Sequence, residues 1–118
     1  MDNELQKGKP VPNWHVALME GGEVTLWDYR QKSHVIVVFD PKMTMAQVAQ
    51  WKALLSANAK QWDWLRAEFL FSSRLPPDTA AGVYVIDRYG RLWNQFPIES
   101  WSLEEIEKDL VYYEARHC

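Results

Sequence analysis

The chain carries a single thiol, Cys118, and that sets the limits of its chemistry. A lone cysteine excludes an internal disulfide, a paired-cysteine redox motif and a multi-thiolate zinc site. Beside His117, it reads either as a redox or intermolecular disulfide cysteine or, more ordinarily, as an exposed thiol at the end of a helix. A His–Cys pair offers two metal ligands, but a site needs more, so no metal is expected. His15 and His34 are of a type that titrates near neutrality and can serve in acid–base work. Neither has a nucleophile beside it, and His34, which opens a strand, is expected at the sheet edge. Asp40 closes an apolar run. It can hold a cation or a ligand amine, or simply end the strand and help to cap the next helix. Met43 and Met45 are soft, flexible side chains of the kind that line peptide grooves. Met45 is expected to turn inward as the first member of a helical stripe. The acidic run Glu104, Glu105, Glu107 and Asp109, with Lys108, reads as a solvated helix face. There is no glycine-rich phosphate loop, no Ser-His-Asp order and no HExxH.

These residues must be positioned by one domain, 1–118, since 118 residues leave room for a single core. Apolar residues make up 47% and charged residues 25%, an ordinary globular balance. The net charge of −3 and the scatter of Lys and Arg argue against nucleic acid or anionic lipid as partners. No apolar run approaches the roughly 20 residues that span a membrane. The opening Met1-Asp2-Asn3-Glu4 has no apolar core, so no secretory signal is expected in it, and cytoplasm is the default compartment. Seven tryptophans are more large rings than a small core readily encloses, so some are expected at the surface as a contact site.

Gly8, Pro10 and Pro12 break the lead-in over 1–13. Trp14 to Leu18 alternates apolar and polar, Glu20-Gly21-Gly22-Glu23 turns, and Val24 to Leu26 returns: a hairpin. Trp27 to Lys32 is expected to be a short helical turn. His34-Val35-Ile36-Val37-Val38-Phe39 is β-branched and continuously apolar, which suits a centre strand covered on both faces. Thr44 and Gln47 form a capping box, and Met45, Val48, Trp51 and Leu55 follow at helical spacing, predicting a helix from about 45 to about 61. Ala67 to Phe71 is the next strand and makes a parallel unit with the first. Residues 73–81, with Pro76-Pro77, form a loop. Gly82 to Ile86 and Arg91 to Phe96 make a second hairpin around Asp87-Arg88-Tyr89-Gly90. Ser102 and Glu105 cap a last helix striped by Leu103, Ile106, Leu110 and Tyr113.

This order resembles the thioredoxin fold, and four segments sharpen the resemblance to its peroxiredoxin-like branch, the redoxins named after alkyl hydroperoxide reductase and thiol-specific antioxidant. Gly8-Lys9-Pro10-Val11-Pro12-Asn13-Trp14 is similar to that family's opening. Gly22 to Arg30 resembles its glycine-led V-x-L-x-D-Y-R segment. Phe39-Asp40-Pro41-Lys42 looks like the F-x-P-K that closes its central strand, and Val83 to Gly90 like its I-D-R-x-G hairpin. The match runs in order along nearly the whole chain.

The departures bear on activity. The resemblance implies a reactive cysteine at the first turn of the helix after the central strand, where free amides and the helix dipole stabilise a thiolate. Here that stretch reads Met43-Thr44-Met45-Ala46. The family's peroxide-holding Arg, or the cis-Pro of thioredoxins, falls six residues before Asp87, where this chain has Ala81. The helix between the parallel unit and the final hairpin is also missing. Residues 73–81 are too few for it, yet when extended they reach roughly 30 Å, enough to cross a small sheet.

The resulting expectation is an α/β, thioredoxin-like fold with a mixed central sheet and helices on its faces, trimmed of one helix and less covered on one face. Its expected function is that of a non-catalytic binding or scaffold module. The former active-site region, Asp40, Met43, Thr44, Met45 and Ala81, would be its groove. The alternative is a thiol-dependent redox protein acting through Cys118 with a partner's thiol. No cofactor is expected. The expected partner is another protein, met through that groove or through exposed tryptophans, with a homodimer as a further arrangement.

Overall fold

Strand β3, His34–Phe39, is buried along its whole length and forms the centre of the sheet, as its unbroken apolar run predicts. The computed structural model describes residues 5–116. Before β3 come β1 (His15–Ala17) and β2 (Glu23–Thr25), an antiparallel hairpin, and a short 3-10 turn over Leu26–Tyr29. After it come α1 (Met45–Ala57), α2 (Ala59–Leu65), β4 (Ala67–Ser72), β5 (Gly82–Ile86), β6 (Leu92–Phe96) and α3 (Leu103–Arg116). The four-stranded sheet has the order β4-β3-β5-β6. β3 pairs with β4 in parallel, Ile36 level with Phe69, and with β5 antiparallel, Val37 level with Tyr84. β5 and β6 form the closing hairpin, whose turn needs a positive φ and finds it at Gly90 (φ 83°).

The capping box at the start of α1 forms as read. Thr44 Oγ1 accepts the Gln47 N–H at 3.2 Å and Gln47 Oε1 accepts the Thr44 N–H at 2.9 Å. Thr44→Ala should therefore cost about 1 kcal/mol. Urea unfolding with an unchanged m-value and a lowered midpoint would show it, and an unshifted midpoint would mean that water caps the helix equally well. The helix expected to run unbroken to about 61 is instead two. Asn58 leaves helical geometry (φ −124°, ψ 35°), and its side-chain amide turns back to the Leu54 carbonyl. Such local competition for the backbone is why Asn ends helices. α2 then restarts and stops at Arg66, which takes the left-handed conformation (φ 56°).

Alternation along the strands divides the core into two layers. On one face Ile36, Val38, Phe71, Val83 and Val85 pack under all three α-helices, through Val48, Trp62, Leu65, Ile106 and Leu110. On the other, Val35, Val37, Phe39, Tyr84 and Ile86 lie under the lead-in segment and the β1–β2 hairpin, through Val11, Trp14, Val16 and Leu26. One face was expected to be less covered than the other. The α-helices all take one face because the segment that would carry one to the other, 73–81, is too short and stays non-helical. Trp14 does much of the covering instead, set edge-on to both Phe39 and Tyr84 at 5.4 Å. The lead-in is tied down at the far edge of the sheet. Gly8 N–H donates to the Leu92 carbonyl, Leu92 N–H to the Lys9 carbonyl, and Val11 N–H to the Gly90 carbonyl.

Candidate functional site

The carboxyl end of β3 is where the scaffold brings an exposed helix start, a strand end and a strand beginning together. Asp40 follows β3 directly. Its Oδ1 accepts the Lys42 N–H at 2.9 Å, its carbonyl accepts the Met43 N–H at 3.0 Å, and its own N–H reaches Ser72 O at 3.1 Å. It thus builds the turn that launches α1, the ordinary role for an Asp at a strand end. One step beyond the Phe39–Gly82 pair, the antiparallel register sets Asp40 level with Ala81. The predicted residues Asp40, Thr44 and Ala81 therefore gather at one end of the sheet.

The two methionines exchange the places expected of them. Met43 is buried, 6% exposed, and packs in the core beneath the helices, whereas Met45 is 52% exposed. The line through Val48, Trp51 and Leu55 is the inward stripe, and Met45 falls on its flank. The Asp40 turn has already folded Met43 under the sheet's end, where a fourth inward side chain would have gone. No sulfur of the described residues here can ionise, and the Gln47 N–H in the first turn of α1 is taken by the Thr44 hydroxyl.

A cavity of about 600 Å3 opens on the helix-free face, next to Ala81. Trp14 and Tyr84 line its inner side, Leu5 and Pro12 come from the lead-in, Pro77 to Ala80 from the loop, and Gln95 from β6. The Tyr84 hydroxyl donates to the Ala80 carbonyl at 2.7 Å and fastens the loop, and burial raises the phenol above its ordinary range. Within the loop Thr79 Oγ1 donates to the Pro77 carbonyl at 3.2 Å, and Asp78 adopts a left-handed φ of 60°. The residues read from sequence as the site do not line this cavity. Its signal was nevertheless present: a loop stands where the fold places a helix, so the face beneath it must be partly open.

His34 is not at a sheet edge. It is fully buried at the start of the central strand, because α3 and the β5–β6 turn close over it. Its Nδ1 accepts the Arg88 N–H at 3.2 Å, and its Nε2 lies 3.8 Å from Glu114 Oε2. Burial lowers its basicity below the ordinary range, Glu114 partly offsetting that and Arg88 adding to it. His15 is exposed and meets Glu23 at 3.3 Å, an outward pair on the hairpin. Asp109 belongs to no simple solvated face, since Asn94 Nδ2 donates to it at 2.9 Å and burial raises its carboxyl. Trp27 and Trp64 are the well-exposed tryptophans, and Trp14 and Trp62 are buried. Cys118 and His117 lie outside the described residues. Among the described residues no group of three or more His, Cys, Asp and Glu could hold a metal ion, and no helix is long and apolar enough to cross a membrane.

No protein-family model and no curated protein sequence matches the chain. Solved structures do. A reduced 2-Cys peroxiredoxin of Plasmodium vivax superposes with a TM-score of 0.70 at 16% identity, over 94% of this chain and 83% of that one. A cysteine-to-serine variant of PrxQ from Xylella fastidiosa gives 0.66 at 12%, over 99% and 100%. A thiol:disulfide interchange protein DsbE from Chlorobium tepidum gives 0.62 at 14%, over 92% and 98%. At such identities the likeness speaks for the fold. With its βααβ parallel unit, closing hairpin and last helix, the chain has the thioredoxin-like fold, shared with peroxiredoxins and DsbE-like proteins.

Proposed function

We propose that this chain works as a non-catalytic binding module on a redox-protein scaffold. The observation that carries the reading is the start of α1. Where the fold's chemistry needs an ionisable sulfur facing free amides, this chain has a closed Thr44–Gln47 cap, a buried Met43 thioether and an outward Met45. Ala81, level with Asp40, brings no charge to hold a peroxide. The binding surface is the ledge of Asp40, Thr44, Met45 and Ala81, together with the cavity floored by Trp14 and Tyr84 that begins at the preceding residue, Ala80. Its partner is another protein, since exposed Met and a cleft between loop and sheet suit a peptide segment better than a small polar substrate.

Peroxide consumption and thiol–disulfide exchange by wild type and Cys118→Ser test this. Neither protein should turn over above the buffer rate. A wild type that reduces peroxide, beside an inactive Cys118→Ser, would overturn the proposal in favour of redox work through the terminal thiol.

A further inference from the structure

Away from that ledge, the end of α3 is fastened by a half-buried ion pair. Glu114 lies in its last turn, and Arg88 Nη1 donates to both Glu114 oxygens, at 3.2 and 3.1 Å. Between these groups and the sheet lies His34, with no exposed surface and the Tyr113 ring edge-on at 4.8 Å. Because Nδ1 accepts from the Arg88 backbone N–H, it must carry a lone pair, which places the proton of the neutral ring on Nε2. At 3.8 Å from Glu114 Oε2, Nε2 is too distant for a hydrogen bond and is buried without a partner.

We propose that His34, Arg88 and Glu114 form an acid-sensitive latch, which holds the last turn of α3 on the β5–β6 turn and releases it when His34 is protonated.

The charged groups facing the ring come from two elements. α3 supplies Glu114 and the Tyr113 phenol. The β5–β6 turn supplies Asp87 and Arg88, with Arg91 behind, its Nε 3.5 Å from Asp87. The α2–β4 junction adds the Arg66 carbonyl, which accepts the His34 N–H at 2.8 Å. Arg88 and Arg91 balance Asp87 and Glu114, so the cluster is neutral only while His34 is neutral. A proton on Nδ1 points a donor at the Arg88 N–H, which is itself a donor. It also adds a positive charge where water does not reach, and leaves one carboxylate, already held by Arg88, to serve two cations. Lifting the last turn of α3 lets water reach the imidazolium and the guanidinium together.

The direction follows from linkage. The latched imidazole is less basic than a free one, whose pKa is about 6.5, so below that value the opened form takes up a proton that the latched form refuses. The latch is therefore at full strength above about pH 6.5 and weakens as pH falls from there toward the latched value.

Hydrogen-exchange protection factors of the full chain at about pH 7.5 and about pH 5 test the proposal. Amides of Val111 to Arg116 should lose about tenfold or more in protection at the lower pH, while Ile36 to Val38 change by less than about twofold. His34→Gln keeps an acceptor for Arg88 and cannot titrate, so its α3 should be equally protected at both. Unchanged protection in wild type, or an equal loss in His34→Gln, would overturn the proposal. Should His34→Gln fail to fold, the nitrogen-15 shifts of His34 in wild type decide. They should report an Nε2–H ring that becomes imidazolium in step with α3 opening, and an imidazolium inside a fully protected α3 would overturn it.

Discussion

Trp14→Ala should lose about 3–5 kcal/mol of folding free energy, with Trp64→Ala, as an internal control, within about 0.5 kcal/mol of wild type. Both remove an indole, but Trp14 is 7% exposed and Trp64 66%. Trp14 stands edge-on to Phe39 and to Tyr84, each at 5.4 Å and 77°, and those two rings contact each other at 5.9 Å. Removing it costs the transfer of a large apolar group and three-way ring packing, and the void left behind joins the neighbouring cavity and fills with water. Among the described residues no α-helix packs on this face to settle into the gap. Urea unfolding followed by circular dichroism gives both values. A Trp14→Ala midpoint close to that of wild type would mean that the hairpin and lead-in hold the face without the ring.

Asp87→Ala should be nearly as damaging, at about 3–4 kcal/mol, and Asp87→Asn markedly milder. The Asp87 carboxylate is buried and organises the whole β5–β6 turn. Oδ1 accepts the N–H groups of Tyr89 at 2.9 Å and Arg91 at 3.0 Å, and Oδ2 accepts the Tyr113 hydroxyl at 3.3 Å. Alanine strands those donors in a site with little access to water. Asparagine keeps one acceptor oxygen and can still satisfy the two amides. A second reading separates loss of the charge from general loosening. Tyr113 is pushed up to about 12, mainly by burial and further by the Asp87 carboxylate. In Asp87→Ala, phenol absorbance during an alkaline titration should show Tyr113 ionising earlier than in wild type. It should stay above the ordinary range, because burial is the larger cause. A folded Asp87→Ala with Tyr113 unmoved would remove the carboxylate from the account.

Local rules carried far in this chain. The continuous apolar run His34 to Phe39 announced a centre strand, and the boxes at Thr44–Gln47 and Ser102–Glu105 announced two helix starts. All three form, Ser102 Oγ accepting the Glu105 N–H at 3.2 Å. The absence of a helix over 73–81 was legible from its prolines and its length. What failed was settled at long range. His34 looked like an edge residue because the groups that bury it, Arg88 and Glu114, are distant in the chain and their approach depends on α3 docking. The exchange between Met43 and Met45 turned on the Asp40 turn, a three-dimensional bend that helical periodicity does not see. The cavity beside Ala81 gave no residue pattern of its own, for its lining comes from the lead-in, the loop and two strands.

The clasp between Gly8–Val11 and the Gly90–Leu92 turn has a consequence for biogenesis. Its two halves lie far apart in the sequence, so closing it costs more loop entropy than pairing neighbouring elements and must wait for β5 and β6. The βααβ unit can assemble from near neighbours as it leaves the ribosome. The lead-in is then fastened after the βααβ unit, and until it docks Trp14 stays unpacked and the face that carries no α-helix stays uncovered.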